Sequence, residues 1–114
     1  LLCDRSGGED MIQLIKIGDK TYPVNYDSTL ARREGIIGQI DYTEVRIAVL
    51  PDLEHQKETE VLCHEAVHGM LYFMGEHRKN NCEESVERIT SGLLMLIRDN
   101  PGLFLRFVGS ENKM

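Results

Sequence analysis

Tryptophan is absent and aromatic residues make up only 6% of the chain, so a core has to be assembled from mainly aliphatic side chains. No apolar run approaches the ~20 residues of a membrane-spanning helix, which excludes a membrane as the expected setting. Basic residues are few: 13 Lys and Arg stand against 19 Asp and Glu, a net charge of −6. No basic cluster marks a phosphate-binding face, so nucleic acid is not an expected partner. Cysteine is scarce too. Cys3, Cys63 and Cys82 are odd in number and lack paired spacing, which excludes a secreted disulfide scaffold and points to a reduced, cytoplasmic protein. The opening LLCDRSGGED has too short an apolar stretch, and too many acids, for a signal peptide. There is no internal repeat and no low-complexity segment.

The 114 residues amount to one domain, and 41% hydrophobic content suffices for a globular core. Residues 1–10 read as a leader or expression remnant, and 11–114 as the domain. After Met11, IQLIKIGDKTYPVNY reads as two strands turned at Gly18-Asp19, with Ile12, Leu14 and Ile17 carrying the apolar beat. Pro23 assigns the second strand to a sheet edge. Asp27-Ser28 offers a cap for the short helix TLARREG, stopped by Gly35. IIGQIDY and VRIAVL alternate with period two and form a second hairpin around Thr43-Glu44.

The remainder is helical. From Glu54 to Met74 there is no proline, and Val61, Leu62, Val67, Leu71, Tyr72 and Met74 recur at three- and four-residue intervals. Gly75 stops this helix, HRKNN is a polar loop, and a second helix runs from Cys82 to Arg98. Its expected buried face is Val86, Ile89, Leu93, Leu96 and Ile97. Pro101 ends it, and Leu103–Val108 form a last short helix. Strands followed by helices predict an α+β fold. The expected architecture is a small antiparallel or mixed sheet, covered on one face by two antiparallel helices.

The first long helix carries His64-Glu65-Ala66-Val67-His68, an H-E-x-x-H pattern. Residues four apart lie one turn apart on the same helical face, so both imidazoles can reach one zinc ion at about 2.0–2.1 Å. Glu65 stands beside them without being a ligand, placed to take a proton from an attacking water and deliver it to a leaving amine. This is the metallopeptidase arrangement. The bland alternative is a pair of ordinary histidines on an amphipathic helix.

Two ligands leave the site incomplete. A metzincin would place its third histidine where this chain has Met74, and the glycine its turn needs is missing, so that class is excluded. Glu83, Glu84 and Glu87 open the next helix, which can fold back over the motif. Glu83 is the preferred third ligand, with Glu87, one turn on, accepting the free N–H of a ligand histidine. Glu84 points about 100° away, towards solvent. Cys82 and His77 are rival ligands, and the acidic cluster also suits a helix N-terminus for electrostatic reasons alone.

The layout of two hairpin strands, HEAVH on a helix, then CEESVERITSGLLMLIRDNP resembles the short zincin-like proteins of the ImmA/IrrE metallopeptidase type, common in phages and prophages. The resemblance spans about residues 36–101, with HEAVH its specific part. It implies a gluzincin-like zinc peptidase whose site is completed by an acid near the start of the second helix, matching Glu83. It also implies intracellular proteolysis of a protein or peptide substrate, sometimes a repressor, and often an extra domain that these residues do not include. Where such proteins often have Asn or Asp four residues after the glutamate ligand, this chain has Glu87.

Other residues attract blander readings: Tyr42 as a half-buried strand tyrosine, Tyr72 as core packing, Cys63 as a small buried hydrophobe, and His77 as a solvated loop residue or an oxyanion donor. His55 has no partner in sequence. The expected activity is peptide hydrolysis, with a substrate strand adding beside VRIAVL. The alternative is a zinc-stabilised interaction or regulatory module without catalysis.

Overall fold

Alternating side chains and turn residues set the first half of the chain. The computed structural model describes residues 11–76 and 78–113, leaving aside the side chains of 33, 34, 78, 79 and 110–113. Strands β1 (Leu14–Ile17) and β2 (Lys20–Tyr26) form a hairpin across Gly18, whose φ of 63° is the left-handed geometry the turn requires. The inward residues of β1 are Ile15 and Ile17, while Ile12 and Leu14 are exposed, so the expected apolar beat holds at Ile17 and falls one residue out of step at Ile12 and Leu14. Helix α1 (Leu30–Glu34) follows an Asx turn in which Asp27 Oδ1 accepts from the Thr29 amide and hydroxyl, and it ends at left-handed Gly35. Strands β3 (Gly38–Asp41) and β4 (Arg46–Val49) then pair antiparallel.

The sheet is four-stranded and mixed, in the order β1-β2-β4-β3, with β2 and β4 parallel. Two expectations are corrected here. β2 is interior despite Pro23, because its ladder with β4 begins only at Val24. The Val24 amide donates to Gln13 on the β1 side, so by alternation the proline nitrogen faces the β4 side just before that ladder starts. The segment VRIAVL is likewise interior, and the edge beside the long helices is β3.

Helix α2 (His55–Phe73) lies across the sheet. Glu54 caps its first turn through the Lys57 amide, and Gly75 (φ 85°) ends it with the Glu76 amide donating to the Leu71 carbonyl. Val61 and Leu62 join Tyr22, Ile47 and Val49 in the main core. A 3₁₀ turn (Arg78–Asn81) leads into α3 (Glu83–Asp99), and α4 (Pro101–Lys113) starts on Pro101, a residue suited to a first helical turn.

Helix α3 packs on α2 rather than on the sheet, through Val86 and Leu93 against Val67, Leu71 and Cys63. Ile89, Leu96 and Ile97, expected inside, are exposed because α3 has only one neighbour to bury against along most of its length. Among the described residues no helix is long and apolar enough to cross a membrane.

Candidate metal centre

Helical spacing puts His64 and His68 on one face of α2, and the short return through the 3₁₀ turn brings the start of α3 against them. Their Nε2 atoms converge on one carboxylate: His64 Nε2 lies 2.9 Å from Glu83 Oε1, and His68 Nε2 lies 3.0 Å from Glu83 Oε2. Glu87 Oε1 stands 3.6 Å from His64 Nδ1, so α3 runs antiparallel to α2. One ligand atom from each of His64, His68 and Glu83 falls within 4.8 Å of the others, the only such group among the described residues.

This donor set suits a divalent metal. Tetrahedral arms of about 2.0–2.1 Å give ligand–ligand edges of roughly 3.3 Å, close to the histidine–glutamate distances here. Two imidazole nitrogens facing one carboxylate are an arrangement a cation can enter, displacing protons as it loads. The Glu83 side chain remains 80% exposed, which leaves one side of the group open.

A neighbour missed in the sequence organises His68. Asn81, at the end of the 3₁₀ turn, donates from Nδ2 to the Tyr42 hydroxyl and to the His68 carbonyl, both at 3.2 Å. Its Oδ1 therefore faces the ring and accepts from His68 Nδ1 at 2.7 Å. That bond fixes the ring with Nε2 toward Glu83. Tyr42 also donates to the His68 carbonyl at 3.3 Å. Burial raises its phenol, against the lowering effect of the Asn81 hydrogen bond, so Tyr42 stays a neutral donor.

Tyr42 and Tyr72 stack face to face, centroids 3.9 Å apart. Both line a cavity of about 430 Å³ with Glu65, His68 and Glu83. Tyr42 therefore lines the cleft instead of merely filling a strand position, and Tyr72 is 40% exposed rather than packed in the core.

Glu65 sits outside the three-residue group but faces the same cavity. It is buried, and that burial, reinforced by the charge of Glu83, pushes its carboxyl up to about 7. Gly38 of β3 makes this placement possible, since a Cβ there would lie 2.5 Å from Val61 Cγ1 and 3.1 Å from Glu65 Oε2. For Glu83, partial burial acts upward but is overcome by the hydrogen bond from His64 and the charges of both histidines, so its carboxyl is lowered.

The rival ligands separate clearly. Glu84 pairs with Arg88 on the exposed side of α3. Cys82 is the exposed N-cap of α3, its Sγ 3.4 Å from Ser85 Oγ. Cys63 is half-buried, with its thiol raised by burial. His55 lies exposed at the start of α2. His77 and the leader 1–10 lie outside the described residues. Comparison with known families, characterised proteins and solved structures finds no match.

Proposed function

We propose that this chain is a zinc-dependent peptidase, with His64, His68 and Glu83 as metal ligands and Glu65 as the catalytic base. The observation that carries the reading is the placement of Glu65. It is buried beside the donor group, outside it, and open to the same cavity. A purely structural site has no use for such a carboxylate, whose proton affinity near neutrality suits a group that must both take and return a proton. Zinc bound there would supply Lewis acidity, polarising a carbonyl and making water a stronger acid.

The protein's own groups divide the remaining work. Glu65 takes the proton of the attacking water and returns it to the departing amine. Asn81 holds the His68 imidazole, Glu87 faces His64 Nδ1 at 3.6 Å, and the stacked Tyr42 and Tyr72 wall one side of the cleft. The edge strand β3 offers backbone groups to an extended substrate segment, which would lie across Gly38 and past Glu65. A zinc staple closed by four protein ligands is less well supported, because the group has three members among the described residues.

The test is native mass spectrometry for zinc together with cleavage of an unfolded protein such as casein. One zinc per chain is expected in both the unaltered protein and Glu65→Gln, with hydrolysis only in the former. Absence of zinc after reconstitution overturns the reading. Bound zinc without hydrolysis favours the non-catalytic module.

A further inference from the structure

A second cavity, of about 660 Å³, continues from the candidate site in the opposite direction from the tyrosine pair. The two cavities share Ile36, Gly38, Glu65 and Glu83, so they form one groove along α2. Its helical walls are regular stripes. Lys57, Glu60, Val61 and His64 project from α2, and Glu87, Thr90, Leu94 and Arg98 from α3. Both follow the three- and four-residue spacing of one helical face.

Charge is sorted along this groove. The carboxylates of Glu65, Glu83 and Glu87 gather toward the histidines, Glu60 stands between His64 and Lys57 on α2, and Lys57 and Arg98 stand at the far end. Antiparallel packing brings these two cations to the same end. Arg98 Nε contacts Asp99 at 3.3 Å, and Asp99 does not line the groove. Midway along, Thr90 is only 6% exposed, and its hydroxyl has no hydrogen-bond partner among the described residues. A buried polar atom left unsatisfied on a groove wall suits an occupant able to complete it.

Resting on the peptidase reading, we infer that the substrate is an extended segment whose chain enters this second groove and carries acidic side chains that meet Lys57 and Arg98. Helical rise places Lys57 about 10 Å from His64 and Arg98 about 22 Å from Glu83 along their helices. At about 3.3 Å per extended residue, the acids lie roughly three to seven positions from the scissile bond. A polar group of the segment meets Thr90 on the way. The clustered carboxylates near the histidines repel the same acids, so the arrangement also fixes where along the segment they are tolerated.

The experiment uses fluorescein-labelled decapeptides with one Phe, carrying Glu at those positions on either its N-terminal or its C-terminal side, and matched Gln peptides. Fluorescence anisotropy is measured on the zinc-loaded protein. One Glu peptide is expected to bind about fivefold more tightly than its Gln match at about 0.05 M salt, with the gap closing at about 0.5 M. K57E/R98E is expected to abolish or reverse the preference with zinc content unchanged. Equal affinities, no binding of any peptide, or a preference surviving K57E/R98E overturns the inference. Casein cleavage is scored separately. Preference without cleavage refutes the peptidase reading and leaves the groove assignment standing, while cleavage without preference does the reverse.

Discussion

Replacing Asn81 with alanine removes three hydrogen bonds at once: those to His68 Nδ1, the His68 carbonyl and the Tyr42 hydroxyl. The His68 carbonyl retains Tyr42 as a donor, so the larger loss is at the ring, whose side chain is only 10% exposed. A buried donor left without its acceptor costs about 1–3 kcal/mol. The ring is then free to turn, and Nε2 is no longer held toward Glu83. Loss of such a supporting partner typically weakens metal binding by about 10- to 100-fold. That corresponds to roughly 1.4–2.7 kcal/mol. The assay is zinc competition against a chromophoric chelator, run beside urea unfolding of the metal-free protein. Asn81→Asp keeps an acceptor for Nδ1 and is expected to recover most of the zinc affinity while still losing the Nδ2 donor. A purely structural role predicts weakened folding without selective recovery of zinc binding. Unchanged zinc affinity in Asn81→Ala refutes the argument that this side chain sets the His68 ring.

Other outcomes follow from the same geometry. Glu65 binds its proton more tightly when folded, so its contribution to the stability of the metal-free protein is full below pH 4.5 and disappears as pH rises through about 7. The rise from 4.5 to about 7 corresponds to roughly 3 kcal/mol, so chelator-treated protein is expected to lose stability across that interval in urea titrations, and Glu65→Gln to lose less. Gly38→Ala is expected to destabilise by about 1–3 kcal/mol through overpacking against Val61, more than the ~1 kcal/mol gained by restricting the unfolded chain. An unchanged urea midpoint would show that β3 can move away from α2. Zinc at about 100 times its Kd should stabilise the folded chain by about 2.7 kcal/mol, read as a rise in urea midpoint, and the rise should vanish in His64→Ala.

Much of the fold is legible because its signals are local. The α2 boundaries at Glu54 and Met74, the Gly18 and Gly35 turns, and the α+β order all follow from caps, glycines and periodicity that act within a few residues. Strand order is a different kind of fact. Period-two alternation tells which residues share a face but not which strand lies beside which, so it carries no sign that β4 is interior and β3 the edge. The error with Ile12 and Leu14 has the same origin. Ile12, Leu14, Ile15 and Ile17 offer apolar residues in both phases, and only contact with Ile47, Val49 and α2 selects Ile15 and Ile17. In α3 the apolar residues exceed what one neighbouring helix can cover, so periodicity overstates its buried face.

The candidate site divides along the same line. His64, Glu65 and His68 are placed by spacing within a single helix, and the turn between the helices is short enough to carry Glu83 back to them. Asn81 and Tyr42 are 39 positions apart in the chain, and nothing local connects them. They meet because β3 lies close against α2, an approach that Gly38 and Gly69 permit. A Cβ on Gly38 would lie 2.5 Å from Val61 Cγ1, and one on Gly69 would lie 3.0 Å from Ile40 Cδ1 of β3 and 2.6 Å from Ile17 Cδ1 of β1. The end of β3 thereby brings Tyr42 to the His68 carbonyl, where Asn81 reaches both. The two glycines thus do for the site what no motif announces: they set the distance between sheet and helix, and with it the reach of Tyr42 to the His68 carbonyl.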